Sequence, residues 1–162
     1  MSAAKVAIIM GSRSDLEAMN EAANILEQFG IAYEMRALSA HRTPEAVKEF
    51  ISTLADRGFA AVIAGAGGAA HLAGVCASHT HLPVIGVPMR TSLAGGLDSL
   101  LSTVQMPRGI PVATTATGGT GAYNAALLAV SIIALSDADM REKYISFRRA
   151  QTEKVLAQSV ID

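Results

Sequence analysis

An imidazole beside a guanidinium is the chemically loaded feature of this chain. Ser39-Ala40-His41-Arg42-Thr43-Pro44 sets a proton carrier next to a fixed cation, just before a helix start. Two other segments share that layout. Gly11-Ser12-Arg13-Ser14-Asp15 follows the apolar run Val6 to Met10, and Gly65-Ala66-Gly67-Gly68-Ala69-Ala70-His71 follows Ala60 to Ala64. In a parallel α/β sheet, the loops after successive strands gather outside the carboxyl ends of those strands. The three loops are therefore expected to meet. Together they hold two imidazoles, a carboxylate, a guanidinium, hydroxyls and many backbone N–H groups. That inventory suits an anionic small molecule undergoing proton transfer.

Each loop also has a plainer reading. Ser12, Ser14 and the N–H groups around them favour phosphate at a helix N-terminus. Asp15 repels phosphate and would better accept hydrogen bonds from sugar hydroxyls, yet Ser14 or Asp15 could simply cap the helix. The segment is neither a P-loop nor Gly-x-Gly-x-x-Gly, so ATP and dinucleotides are not supported. Arg42 can clamp a phosphate or carboxylate, and His41 can act as acid and base. The plain alternative is a turn histidine and a surface ion pair. Gly65, Gly67 and Gly68 let a ligand or another backbone come close, and their N–H groups could line an anion-sized or CO2-sized pocket. His71 could serve that pocket or only a local hydrogen bond.

Other candidates carry less. His79 and His81 precede the fourth strand, at the opposite end of the sheet, with no third ligand placed to make a metal site. Cys76 sits in an apolar helix and reads as an inert thiol. Gly118-Gly119-Thr120-Gly121-Ala122-Tyr123-Asn124 opens a helix and could close over a ligand or allow tight packing.

The elements that must position these loops follow from periodicity. Strands are expected at Val6–Met10, Ile31–Leu38, Ala60–Ala64, Pro83–Val87 and Val112–Thr115. The second is the least hydrophobic and is expected nearer an edge. Helices are expected at Asp15–Phe29, Pro44 to about Arg57 with Thr43 as N-cap, Ala69–Ser78, Ser92–Ser102 and Thr120–Leu135. A last helix, about 137–158, carries Met140, Tyr144, Phe147 and Val155 on one stripe. It is expected to pack on its own domain or on a neighbouring subunit. The alternation predicts an α/β fold, a three-layer α/β/α sandwich with a parallel sheet, in one domain over 1–162.

Composition narrows the partners. Apolar residues are 51% of the 162, aromatics only 4% and Trp is absent, so small aliphatic side chains must fill the core. A net charge of −1 lacks the basic footprint of a nucleic-acid binder. The apolar runs are too short to span a membrane. Charged residues are only 17%, which implies that oligomer interfaces hide part of the surface. One cysteine, and an N-terminus without a signal-peptide layout, fit a reducing cytoplasm.

Taken together, five segments resemble class I PurE, the N5-carboxyaminoimidazole ribonucleotide mutases of purine biosynthesis. They are Gly11-Ser12-x-Ser14-Asp15, Ser39 to Pro44, Gly65 to Leu72, Leu82 to Pro88 and Asp98 to Pro111. The resemblance runs from about Val6 to Leu135 and continues more weakly into the tail. It implies a flavodoxin-like subunit in a homo-octamer, with active sites at subunit contacts. It implies conversion of N5-carboxyaminoimidazole ribonucleotide (N5-CAIR) to 4-carboxy-5-aminoimidazole ribonucleotide (CAIR), without cofactor, metal or ATP. Carried over by position, His41 is the acid and base. Ser12, Asp15 and Arg42 bind the ribonucleotide, with Ser14 and Ser39 beside them. The Gly65–Leu72 loop, including Gly67, Gly68, Ala69 and Leu72, encloses the migrating CO2, and His71 supports it. In this scheme His41 protonates C4 as CO2 leaves nitrogen, C4 then attacks the trapped CO2, and His41 recovers the proton. A transient contact with the ATP-dependent synthetase that makes N5-CAIR is a further expectation.

The chain departs from the family pattern at Leu16, where Trp is usual, at Ala73, where Pro is usual, and at Thr120, where Ala is usual. The departures are expected to alter helix packing, loop stiffness and the fourth loop. Three rivals remain. The class II enzyme carboxylates aminoimidazole ribonucleotide directly, but its loop resembles Ser-Ala-His-Lys-Thr, and it lacks the Gly-Ala-Gly-Gly-Ala-Ala-His run. A related domain carboxylates a pyridine nucleotide in nickel-cofactor synthesis. A flavodoxin-like binding module would hold a nucleotide without turnover.

Overall fold

A computed structural model describes residues 4–160 of the chain. The element order is β1 (Lys5–Met10), a 3-10 turn (Arg13–Asp15), α1 (Leu16–Phe29), β2 (Ala32–Ala37), α2 (Pro44–Ser52), β3 (Phe59–Ala66), α3 (Leu72–Ser78), β4 (Val84–Pro88), α4 (Leu97–Val104), β5 (Ala113–Thr114), α5 (Gly119–Ile133) and α6 (Ala138–Ala157). All strand pairs are parallel, in the order β2-β1-β3-β4-β5. This is the flavodoxin-like order, whose crevice opens where the winding reverses between β1 and β3.

Strand alternation explains the two core layers. Val6, Ile8 and Met10 of β1 face the layer built with α1 and α5, while Ala7 and Ile9 face the α2 and α3 side. Ile85 and Val87 of β4 join the first layer, and Val84 joins the second. Strands buried on both faces read as the continuous apolar runs seen in the sequence. Burying each Val or Ile contributes about 1.5–3 kcal/mol. Strand β2 pairs only with β1 and is half-buried or exposed along its length, as expected of an edge.

Several boundaries differ from the sequence-based expectation, each for a local reason. Helix α2 ends at Ser52 rather than near Arg57, because the chain goes over to tighter turns, with Leu54 N donating to Ile51 O (3.3 Å) and Gly58 N to Ala55 O (3.0 Å). Thr43 does not cap it with its side chain. Its hydroxyl instead accepts from Ser39 N (2.9 Å) and donates to Ser39 O (3.0 Å), closing the 39–43 loop on itself. Helix α3 begins at Leu72 rather than Ala69, since Gly68 is left-handed (φ 66) and the next amides make tight turns. Helix α4 begins at Leu97 rather than Ser92, because Ala94, Gly95 and Gly96 all have positive φ. A Cβ at Gly96 would lie 2.7 Å from the Met89 carbonyl oxygen, so no larger residue fits there. Strand β5 keeps two of the four residues expected.

Three of the four α6 stripe residues are used within the chain. Met140 is buried, and Phe29 stacks at 6.3 Å on Tyr144 and 5.4 Å on Phe147. Val155 stays 68% exposed. Asp137 caps the helix by accepting from Met140 N at 2.9 Å.

Candidate active site

The strand tips that carry the loops are pinned together before any side chain acts. Gly11 N donates to Gly65 O (3.0 Å), Leu38 N to Met10 O (2.9 Å) and Met89 N to Ala66 O (2.8 Å). A cavity of about 390 Å³ opens above these bonds, at the β1/β3 crevice. It is lined by Ser12, Ser14 and Asp15 from the first loop, Ser39, His41 and Arg42 from the second, and Gly67, Ala69, His71 and Leu72 from the third. Gly11, Ala40 and Ala66 complete the wall. Of the residues that the resemblance assigns to the site by number, Gly68 alone does not line it. Its amide turns away and donates to Ser99 Oγ at 2.9 Å.

In the first loop Ser12, not Asp15, does the capping. Ser12 Oγ accepts from Ser14 N at 3.2 Å, while the Asp15 side chain caps nothing. Burial pushes the Asp15 carboxyl above its usual range, and hydrogen bonds from the Ser14 hydroxyl and the Ser12 backbone oppose that rise. A half-desolvated carboxylate over a cavity gains from ligand hydroxyls that restore its hydrogen bonds.

In the second loop Ser39 Oγ accepts from Arg42 N (3.2 Å), and Arg42 Nη2 donates to Gly11 O (3.1 Å). One edge of the guanidinium thereby ties the first two loops together. Among the described residues no carboxylate pairs with Arg42, and its side chain is exposed at the cavity wall. An exogenous phosphate or carboxylate is the natural partner.

The two imidazoles meet across the cavity. His41 Nε2 lies 2.9 Å from His71 Nδ1, with ring centroids 5.0 Å apart and planes at 84°. One nitrogen must carry the proton and the other the lone pair, so the pair sets its tautomers jointly. His71 occupies the N-cap position of α3 without capping it, which frees its ring for His41. His79 ends α3 at the far end of the sheet, and no group of three metal-ligating side chains clusters among the described residues. Cys76 is buried in α3, and desolvation pushes its thiol up to about 12, which suppresses the nucleophilic thiolate.

The fourth loop divides its roles. A Cβ at Gly121 would fall 1.6 Å from Ala116 O, so this glycine serves packing. Gly118 and Gly119 line a second cavity of about 370 Å³ with Arg90, Glu17 and Glu21, which abuts the first through Ser14 and Asp15. Thr120 is exposed and lines neither cavity. Leu16 is partly exposed beside the 3-10 turn, and Ala73 is buried in α3. Ser99 and Ser102 lie behind the third loop, and although they fall in the Asp98–Pro111 segment of the resemblance, the sequence assigned them no role.

The chain resembles proteins with a recorded activity over nearly its whole length. It is 51% identical over 153 residues to the N5-carboxyaminoimidazole ribonucleotide mutase of Pseudomonas aeruginosa, covering 94% of each chain. It is 56% identical over 144 residues to that of Pyrococcus abyssi, covering 89% of this chain and 82% of the other. The crystal structure of Treponema denticola PurE superposes with a TM-score of 0.84 at 32% identity, covering 94% of both chains. A single-site variant of T. denticola PurE2 gives 0.88 at 29%, covering 96% of both. Residues 5–154 match the AIR carboxylase family, and the chain is a member of it.

Proposed function

We propose that the chain is an N5-carboxyaminoimidazole ribonucleotide mutase of purine biosynthesis, an isomerase that moves a carboxyl group from the exocyclic nitrogen to C4. The observation that carries this reading is the His41–His71 pair on the wall of a glycine-lined cavity, with Arg42 exposed on the same wall. Relatives above 50% identity that bear the mutase name support it.

The geometry suits each step. Arg42 takes the 5′-phosphate, the Ser12 and Ser14 hydroxyls support it, and Asp15 accepts from the ribose hydroxyls. These contacts fix the ring over His41. As the nitrogen–carboxyl bond breaks, its electron pair passes through the ring to C4, which takes a proton from His41. The CO2 rests against Gly67, Ala69 and Leu72, a wall that would shield it from water once the ribonucleotide covers the cavity. C4 then bonds CO2 and returns one proton to His41. Its remaining hydrogen passes to the freed amine and restores the aromatic ring. Acting as acid and then as base is work suited to an imidazole.

A carboxylase acting on aminoimidazole ribonucleotide and CO2 is the nearest alternative, and the family's name belongs to it. Arg42 and the Gly65–His71 run favour the mutase. Assembly as a homo-octamer fits the exposed apolar side chains on and before α4, where Leu93, Leu97, Leu101 and Val104 face outward. The distal half of α6 would dock at the same kind of contact. The cytoplasm is the compartment of this reading, and the synthetase that makes N5-CAIR is its transient partner.

Replacing His41 with Asn tests the chemistry. The expected result is loss of turnover with ribonucleotide binding retained, read by calorimetry beside the rate assay. Full activity in His41→Asn would overturn the assignment.

A further inference from the structure

Gly68 forms no part of the cavity wall, yet both its backbone N–H and its carbonyl are held. Its N–H donates to Ser99 Oγ at 2.9 Å. Its carbonyl accepts from Ser102 Oγ at 3.1 Å and from Ala70 N at 2.8 Å. The Ser102 hydroxyl hydrogen is shared with Asp98 O, 2.7 Å away, as helix serines often do. Ser99 is fully buried. The first turn of α4, which carries Ser99, is itself fixed, since Asp98 Oδ1 accepts from Thr91 Oγ1 (2.6 Å) and from Ser99 N (2.9 Å). Both polar groups of one left-handed glycine are therefore gripped by one helix.

The grip has a direction. Gly67 and Ala69, on either side of Gly68, line the cavity. Ala70 N bonds to Gly68 O, and His71 follows with its Nδ1 against His41. We infer that Ser99 and Ser102 are positioning residues, which hold the Gly67–Ala69 wall against the migrating CO2 and hold His71 against His41. Neither touches substrate. The inference rests on the mutase reading and adds to it a claim about the fidelity of carboxyl transfer. If the wall loosens, the carbamate takes up one proton, CO2 escapes, and aminoimidazole ribonucleotide leaves as a side product.

The test measures the ratio of CAIR to aminoimidazole ribonucleotide formed by the full-length protein from N5-CAIR, with non-enzymatic decay subtracted. Ser99→Ala and Ser102→Ala should lower kcat about 10- to 100-fold, the effect of a small misplacement at a reacting centre. KM should change little, because the ribonucleotide is held by other loops. The share of aminoimidazole ribonucleotide should rise, and Ser102→Thr, which keeps the hydroxyl, should restore rate and ratio. Thr103→Val is the control. It removes a buried hydroxyl that donates to Ser99 O within the same helix (2.8 Å), and should leave the ratio unchanged. If Ser99→Ala fails to fold, Ser102→Ala at its half-buried position decides alone. Variants with wild-type kcat and ratio would overturn the inference while leaving the mutase reading intact. So would a Thr103→Val variant that leaks equally. A wild-type protein that turns over no N5-CAIR would overturn both.

Discussion

Arg42 carries two tasks that one substitution can separate. Its Nη2 bonds the Gly11 carbonyl, and the rest of its guanidinium faces the cavity. Lys keeps the charge but loses the planar fork. A charge-assisted hydrogen bond is worth about 1.5–3 kcal/mol. Arg42→Lys should therefore raise KM for the ribonucleotide by roughly 10- to 100-fold with a smaller change in kcat, measured by steady-state kinetics. An unchanged KM would remove Arg42 from phosphate binding. His41 and Arg42 were legible in the sequence because a proton carrier and a fixed cation stand side by side just before a helix start. That the His41 and His71 loops share one site was also legible, whereas the direct 2.9 Å contact between the two rings was not, since 30 residues separate them. Only the pairing of β2 and β3 on either side of β1 brings their loops together.

At the scale of elements, the parallel sheet explains why three strand–loop–helix units could be read as one site. Each apolar run ends in a loop, and parallel pairing sends those loops to one edge. The starts of α3 and α4 were less legible, because left-handed residues at Gly68 and 94–96 set them, and periodicity does not report φ. The Ser99 and Ser102 grip was hidden for a related reason, since its partner Gly68 lies more than 30 residues upstream. Edge strand β2 is held by charge as well as by pairing. Glu34 pairs with Arg36 at 2.6 Å and with Arg57 beyond α2. The hydrogen bond from Arg36 first, and then Arg57, hold its carboxyl below the ordinary 4.5. The contribution to stability is thus complete above 4.5 and fades as pH falls through the lower folded value. Both pairs are partly exposed and screened, so Glu34→Gln should cost less than about 1 kcal/mol at pH 7. That loss should shrink in high salt and vanish in acid, as read from denaturant midpoints. A loss independent of pH would assign the effect to packing.

At the scale of the molecule, small residues shape everything. With no Trp and few aromatics, the α1–α5 layer is closed by Ala22, Ala122, Ala125, Ala126 and Ala129, all fully buried. The same sparing use of charge leaves Leu97, Leu101 and Val104 outward at helical spacing, on the side of α4 opposite the buried Ser99 and Thr103. If this face joins subunits, Leu101→Glu should break the assembly, and light scattering should show smaller particles at equal concentration. An unchanged particle mass would place the interface elsewhere. Mutase and carboxylase differ in which carboxyl source the cavity accepts. The decisive measurement follows CAIR formation without ATP, from N5-CAIR and separately from aminoimidazole ribonucleotide with bicarbonate. Rapid conversion of N5-CAIR alone is the predicted result. Efficient use of bicarbonate, with no turnover of N5-CAIR, would contradict it and make the protein a carboxylase.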